Sequence, residues 1–579
     1  MFKKNLRPLQ PLLISNVNDL PEKQRQLLEA SWSGVFLREF HGRVDEQPFA
    51  VLYADCPSRP NAPVNELVSL EYLKAGNDWT DEEMYQHYLF DLQTRHALGL
   101  DNLGETHFEL RTVYHFRLRL SQHMQETGVN LLDRAFEQVT DAQIAAFQLK
   151  TGKQRMDSTL VASNIRQMSR LQLLVEVLQR THRMLSESEQ AHYAEVLAPY
   201  LHGHSGQYVY RLKNQEVAAH LQPIGTLMQR LLVELKEMHG EEAAYQVLER
   251  VFAEHFTVAE QAVKSKEAQE LSAASLQSPD DLEATYREKR GQGYQGYSAN
   301  LTETCEPANP FQLITKVQTA PNVTDDSRLL AAALPNLKAR TALDTLYTDG
   351  GFGGPEADPV LQAQKVELVQ TAIRGRDPNP EKLHLADFKI RFNEAGKPQQ
   401  VTCPQEQTGP VQPTCQKKGW VAHFDAPTCQ SCPFFQQGQC PAQPGKRDER
   451  HPVRFTQAEA QASERRRRSR ERKKEAGNLR AAIEATVRSV KHPFPAGKLP
   501  VRGQFRVACV LIGSAAVSNV RRIQRYLETK IKGERQQNTG SGGVESIPQQ
   551  PVTLIFAFVK AILAAFRSLA RPSMLCLNW

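Results

Sequence analysis

The sequence predicts an α/β protein: a mixed-sheet core interrupted by one large helical insertion and one Cys-rich loop, with helical regions at both ends. Three observations lead there. Short strand-like segments at 153–157, 293–302, 312–319 and 343–348 lie apart in the chain, with helical periodicity between them. Ser/Thr-x-x-Glu capping boxes recur before residue 150 and again in the longest gap between strands. The segment 402–444 is rich in Gln, Pro and Cys and has little periodicity of either kind, so a metal rather than a core is the obvious candidate to hold it.

Taken in chain order, the first region, 1–150, reads as helical. Thr80-Asp-Glu-Glu83 and Thr106-His-Phe-Glu109 both match a capping box, in which a Thr side chain and a Glu close a helix N-terminus. The run 64–75, a turn at Gly76, Asn77 and Asp78, and the run 80–92 give a helix-turn-helix pattern, which fits a DNA-binding element and a plain helical bundle equally well. The second region, 151–500, opens with a strand ending in Asp157. An insertion, 165–280, is read as helical from Asn164 to about Leu271, with a third capping box at Ser186 and Glu189 and apolar spacing through Leu227, Leu231, Leu232 and Leu235. Strands return at 293–302 and 312–319, a helix begins within 322–326, and the strand 343–348 runs straight into Asp349, Gly350 and Gly351. The Cys-rich insertion, 400–445, follows, and then one long helix, 457–490. The last region, 501–579, holds a helix at 507–531 and a Gly/Gln/Ser linker at 532–550.

With 579 residues and 40% hydrophobic content the chain can bury several cores, in two to four domains of roughly 150 residues each. The net charge of +6 and pI near 8.7 are too mild to establish a polyanionic partner by themselves. Residues 1–13 have basic residues but no apolar run and no small-residue cleavage site, so they do not read as a signal peptide and the cytosol is expected. The apolar stretch 552–566 is shorter than the roughly 20 residues a bilayer needs and contains Lys560, so it reads as a buried helix and no membrane partner is expected. Of nine cysteines, five fall between Cys403 and Cys440, which fits metal ligands in a reducing compartment better than a disulfide framework. Cys56, Cys305, Cys509 and Cys576 are isolated and expected only to pack, and His202 and His204 are expected in a loop.

Asp157 and Asp349 each stand at the expected end of a strand, where side chains leave a sheet and face a cleft, and Glu484 stands on a helix. Three carboxylates converging on one point repel one another, so such a site requires cations. Spacing alone does not select these three among 65 Asp and Glu residues. Resemblance does: Met156-Asp-Ser-Thr-Leu-Val-Ala-Ser-Asn164, Tyr347-Thr-Asp-Gly-Gly-Phe352 and Ile483-Glu-Ala-Thr486 resemble the three acidic motifs of bacterial insertion-sequence DDE transposases. Gly296-Tyr-Ser-Ala-Asn300 and Leu313-Ile-Thr-Lys-Val317 are similar to the second and third strands of that family's RNase H-like sheet. The likeness runs from about Val51 to Tyr526. It implies an RNase H-like catalytic core, and Asp157, Asp349 and Glu484 as catalytic ligands of two Mg²⁺ or Mn²⁺ ions. One ion would activate water or a DNA 3′-hydroxyl and the other would stabilise the leaving oxygen.

Arg480, Glu484 and Lys491 stand at i, i+4 and i+11, within about 60° of one helix face, so the acid is flanked by cations able to grip phosphates. The family's Arg-x3-Glu-x6-Lys signature is matched, but its Tyr three residues before the Arg is Gly477 here. Just before lies a basic run from Arg465, Arg466, Arg467 and Arg468 to Lys474, expected to contact phosphates. Arg521, Arg522, Arg525 and Lys530 extend the track. Cys429-Gln-Ser-Cys432, with Cys403 before and Cys440 after, offers four thiolates for a tetrahedral Zn²⁺, and Cys415 is a fifth candidate. The family's pattern of a Cys-Pro turn, a Cys-x-x-Cys-Pro and one more Cys favours Cys403, Cys429, Cys432 and Cys440, a closed and therefore structural site.

The resemblance implies strand cleavage and strand transfer at the terminal inverted repeats of an insertion sequence, with double-stranded and target DNA as partners. It further implies a homo-oligomer, expected to be a dimer, assembled on DNA in the cytoplasm and nucleoid of a prokaryote. Two other readings share the features: a non-catalytic DNA-binding protein descended from such an enzyme, against which the three intact acids argue, and a metal-dependent nuclease that only hydrolyses.

Overall fold

The computed structural model describes every residue except 7–13, 55–59, 211, 214, 260–261, 290, 372–378, 394, 415–418, 443, 445–449, 473–478 and 540–579. Cys56, Cys415, Gly477, Cys576, the end of the basic run, the apolar stretch 552–566 and most of the expected linker lie outside the described residues. Residues Met1–Tyr526 form one compact unit and Leu527–Trp579 a second.

The central sheet begins with β1 (Lys153–Ala162). A hairpin, β2 (Phe256–Ala259) and β3 (Ala262–Ser265), stands apart, and the sheet resumes with β4 (Thr285–Lys289), β5 (Gln292–Thr304), β6 (Ile314–Pro321), β7 (Thr345–Thr348) and β8 (Glu367–Gln370). β5 lies antiparallel to both β1 and β6 over the same residues, so it sits between them, while β7 pairs with β1 and β8 with β7 in parallel. The order is therefore β6-β5-β1-β7-β8, with β4 continuing along β5. One expectation changes: β1 does not end at Asp157 but runs on to Ala162, because β5 pairs with it residue by residue from Gln154 to Ala162. Gly296 permits the far end of that pairing, since at φ +148° a Cβ there would meet the Val161 carbonyl at 2.4 Å.

Alternation along β1 assigns its side chains to two faces. Met156 packs with Leu330, Leu334 and Leu337 of the Asp326–Arg340 helix, and the Gln154 amide donates to Thr341 Oγ1 at 2.9 Å. On the other face Arg155 donates to the Leu479 carbonyl (2.8 Å) and Thr159 accepts from Lys491 (3.2 Å), which places the Ile483–Lys491 helix there.

The insertion is helical, as its periodicity predicts, through Arg170–Met184, Val217–Glu234 and Ala243–His255, whose Leu174, Leu178, Ile224, Met228, Leu248 and Val251 share one core. The helix does not continue to Leu271, because Phe256, Thr257 and Val258 favour the β2–β3 hairpin. Gly225 makes room for it: a Cβ there would stand 2.5 Å from the Phe256 ring. The capping boxes at Thr80 and Ser186 are formed. That at Thr106 is not, since the helix starts at Leu110 and the Glu109 carboxylate accepts the Tyr85 hydroxyl instead.

The Cys-rich segment has more structure than its composition suggests. β9 (Lys389–Phe392), β10 (Pro398–Thr402), β11 (Thr408–Pro413), β12 (Trp420–Asp425) and β13 (Arg450–Phe455) form an antiparallel sheet in the order β13-β12-β11-β10-β9. Phe388, Ile390, Val401, Phe424, Val453 and Phe455 give it an apolar core of its own, which corrects the expectation that the segment lacks one. The long helix expected over 457–490 is two helices, Gln457–Arg472 and Ile483–Lys491. Its successor is longer than expected, Gln504–Thr539, reaching into the expected linker.

That last helix ties the Met1–Tyr526 unit together. Asn519 bonds both backbone groups of Ile314 in β6 (2.8 and 2.9 Å), Ser514 donates to the Val490 carbonyl, and Gly513 lies against Tyr72 and Ala75 of the Val64–Asn77 helix. The N-terminal helices also reach the sheet directly, where Glu137 of the Leu131–Ala146 helix pairs with Lys316 of β6 and with Arg340.

Candidate active site

Parallel pairing brings the first two predicted acids to one edge. Arg155 lies opposite Tyr347, and Asp157 and Asp349 each follow two residues later. β7 stops at Thr348, so Asp349 opens the turn beyond it, where its Oδ1 accepts the Gly351 amide at 2.8 Å. Asp157, mid-strand in β1, accepts the Ser158 amide (3.0 Å) and the Arg480 guanidinium (3.1 Å). Burial raises the Asp157 pKa, Arg480 opposes that, and the nearby charge of Asp349 adds to it.

Glu484 reaches this pair through Arg480. The guanidinium that holds Asp157 lies 3.6 Å from Glu484, whose side chain is 66% exposed. Arg480 stands in the turn preceding the Ile483–Lys491 helix. Lys491 turns inward, donating to Thr159 Oγ1 (3.2 Å) and the Leu160 carbonyl (2.9 Å), and burial lowers its pKa with the charge of Lys289 contributing. Under the helix, Glu303 of β5 is fully buried and accepts Arg155 (2.6 Å), Thr486 (2.6 Å) and Arg522 (2.7 Å). Arg522, expected on a DNA-facing track, is thus committed inside the protein.

The sequence reading missed a further acid. Asp326 approaches Asp349 from the other face of the sheet: Asp326 Oδ2 and Asp349 Oδ1 lie 2.8 and 3.1 Å from the point a Cβ on Gly351 would occupy. Burial raises the Asp326 pKa, a hydrogen bond from Ser158 opposes it, and Asp349 adds to it. Asp326 was legible only as part of a helix start. Asp325 is the cap that accepts Ser327 (3.0 Å), which leaves the second acid unexplained by capping.

Much of the basic run is paired within the chain. Arg465 binds Asp358, Arg467 and Arg468 hold Glu464 (2.7 and 2.8 Å), and Arg470 holds Asp387 (2.7 Å). Arg466 lies half-buried beside them. Cys403, Cys429, Cys432 and Cys440 line one small cavity with Phe424 and Phe435, and burial together with the other three thiols pushes Cys429 up to about 11. As the side chains stand, no group of three or more His, Cys, Asp or Glu among the described residues is placed to hold a metal ion.

Residues 402–524 match the family model of the transposase DDE domain. That match supports a DDE transposase, and it spans Cys403 to Cys440, the basic run, Arg480, Glu484 and Lys491, while Asp157 and Asp349 lie before it. No curated protein and no solved structure matches the chain. Among the described residues no helix is long and apolar enough to cross a membrane.

Proposed function

We propose that the protein is the transposase of a bacterial insertion sequence, cutting DNA at the element's terminal inverted repeats and joining it to a target. The observation that carries this is the emergence of Asp157 and Asp349 side by side from parallel strands, with Arg480 linking Asp157 to Glu484, in a chain with a transposase DDE domain. The strand order, with β1, β5 and β6 antiparallel and β7 and β8 parallel to β1, supports an RNase H-like core.

The donor set suits a hard divalent ion, because it is all carboxylate oxygen. Asp157, Asp349 and Glu484 would hold Mg²⁺ or Mn²⁺, which supplies an activated hydroxyl and stabilises the leaving oxygen. The chain's own part is positioning: Arg480, which links Asp157 and Glu484, would grip the scissile phosphate, Lys491 keeps the Glu484 helix on β1, and Arg465, Arg466, Arg467 and Arg468 would take DNA phosphates on the approach. The four thiols around one cavity support a structural Zn²⁺ on Cys403, Cys429, Cys432 and Cys440. The protein works on DNA as a dimer in a prokaryotic cytoplasm.

The test is Asp349→Asn, which keeps size and removes a charge. Cleavage of an oligonucleotide carrying the element's terminal repeat, with Mg²⁺, is expected to fall by several powers of ten, while DNA affinity holds or rises. Cleavage as fast as the parent's would remove Asp349 from the chemistry.

A further inference from the structure

We propose that Gln370 is a positioning residue for Asp349, holding the backbone from which that carboxylate reaches the acidic site. The proposal rests on the metal-dependent reading of Asp349 above and names the side chains that keep it in place.

Three observations carry it. The first is that no strand partner positions Asp349. The parallel ladder between β7 and β8 ends at Thr348 and Gln370, so the Asp349 carbonyl lies beyond the last paired residue. Two side chains take the place of a neighbouring strand: Gln370 Nε2 donates to that carbonyl at 3.2 Å and Thr348 Oγ1 at 3.0 Å. The second is that the Gln370 amide is itself fixed. Gln370 is buried, and a Cβ on Gly353, a few residues after Asp349, would stand 2.7 Å from Gln370 Oε1, 2.8 Å from its Nε2 and 2.9 Å from Arg465 Nε. Gln370 Oε1 and Arg465 Nε are shielded from solvent and have no hydrogen-bond partner among the described residues. At low dielectric the guanidinium attracts the carbonyl end of the amide, which leaves the NH₂ end for Asp349. The third is the support behind Gln370. Arg465 and Ser469 stand one turn apart on the Gln457–Arg472 helix. Ser469 donates to the Gln370 carbonyl at 2.9 Å, and Arg465 is ion-paired with Asp358 of the Ala357–Ala363 helix. One face of the arginine-rich helix thus grips Gln370 by backbone and side chain, and through it Asp349.

A carboxylate that shifts by about 0.5 Å no longer meets a cation in the productive geometry. The decisive measurement is Mn²⁺ binding by the full chain on terminal-repeat DNA, with free Mn²⁺ followed by electron paramagnetic resonance, alongside cleavage against Mn²⁺ concentration. Gln370→Met keeps the length of the side chain but removes the amide. It is expected to weaken Mn²⁺ binding and to raise the half-saturating Mn²⁺ for cleavage, each on the order of tenfold. The rate at saturating Mn²⁺ and the metal-free DNA affinity should stay close to the parent's. Gly353→Ala, which keeps Gln370 and every acid but crowds the amide, should shift Mn²⁺ binding in the same direction, and so should Thr348→Val, which removes the second donor. If Gln370→Met and Gly353→Ala bind Mn²⁺ like the parent while Asp349→Asn does not, this inference is overturned and the metal-dependent reading stands. A lower melting temperature and weaker metal-free DNA binding in Gln370→Met, with Mn²⁺ affinity unchanged, overturns it as well, since Gln370 then only packs. If Asp349→Asn itself binds Mn²⁺ like the parent, both fall.

Discussion

Replacing Glu303 by Gln probes whether the Glu484 helix is held in place by buried charge. Glu303 is fully buried and accepts three short hydrogen bonds, from Arg155 and Thr486 at 2.6 Å and from Arg522 at 2.7 Å. Gln keeps the shape but removes the charge that faces both guanidiniums, and it turns an NH₂ towards one of them. Breaking a buried ion pair from one side costs about 3–5 kcal/mol. Arg155 keeps the Leu479 carbonyl and Arg522 the Gln312 carbonyl, so the lower end, about 3 kcal/mol, is expected. Urea unfolding of the full chain, followed by circular dichroism, reads the shift. A triple variant with Glu303, Arg155 and Arg522 all changed to Met should recover most of the loss, because an apolar replacement strands no charge. Strand cleavage should stay low in Glu303→Gln, since Thr486 sits two residues from Glu484 on the helix that loses its anchor. A variant within about 0.5 kcal/mol of the parent would refute the idea that this charge cluster fixes the helix.

Other outcomes follow from the same contacts. Changing Arg465, Arg466, Arg467 and Arg468 to Ala should lower DNA affinity and flatten its salt dependence by up to about one unit of slope per lost phosphate contact. An unchanged slope in a salt titration would assign those arginines to Asp358 and Glu464 alone. Removing zinc with a chelator should expose the thiols of Cys403, Cys429, Cys432 and Cys440 to titration and loosen 403–440, though the apolar core of the β9–β13 sheet should keep part of its fold. Finding no zinc by metal analysis of chelator-free protein would end that expectation. His41 is fully buried, with Asn65 donating to one ring nitrogen and Ser69 at the other, and burial lowers its pKa to about 3. The unfolded chain therefore takes up a proton first, so this contribution is complete above about pH 6.5 and is lost as pH falls towards 3, on the order of 3–5 kcal/mol in all. His41→Gln should flatten the pH dependence of unfolding in that window.

The sequence made the secondary elements around the site largely legible and the partnerships poorly so. β5, β6, β7 and the Asp326–Arg340 helix lie where alternation and capping residues put them, because those signals are local. The end of β1 was misjudged, since its second half exists through β5, more than 130 residues away in the chain. The β9–β13 sheet was hidden for a related reason: strands of four to six residues punctuated by Pro and Gly show no period, although Ala422 and Phe424 alternate inward once paired. Asp157, Asp349 and Glu484 were selected by resemblance. Asp326 could not be, because an acid at a helix start has a sufficient local explanation until Gly351 is seen to bring Asp349 beside it. The arginine run taught the converse, for charge density in sequence does not reveal Asp358 or Asp387, which meet it from distant elements.

The position of the helix that begins at Gln504 has a consequence for biosynthesis. It supplies Asn519 to β6, Arg522 to Glu303 and Gly513 to the Val64–Asn77 helix, yet it is translated after all of them. Until it leaves the ribosome, Glu303 lacks one of its two guanidiniums, Ile314 has unsatisfied backbone groups, and the face of Tyr72 and Ala75 is uncovered. The earlier segments therefore wait, partly assembled, for a late arrival. A nascent or prematurely terminated chain therefore carries Asp157 and Asp349 but not the piece that locks their surroundings.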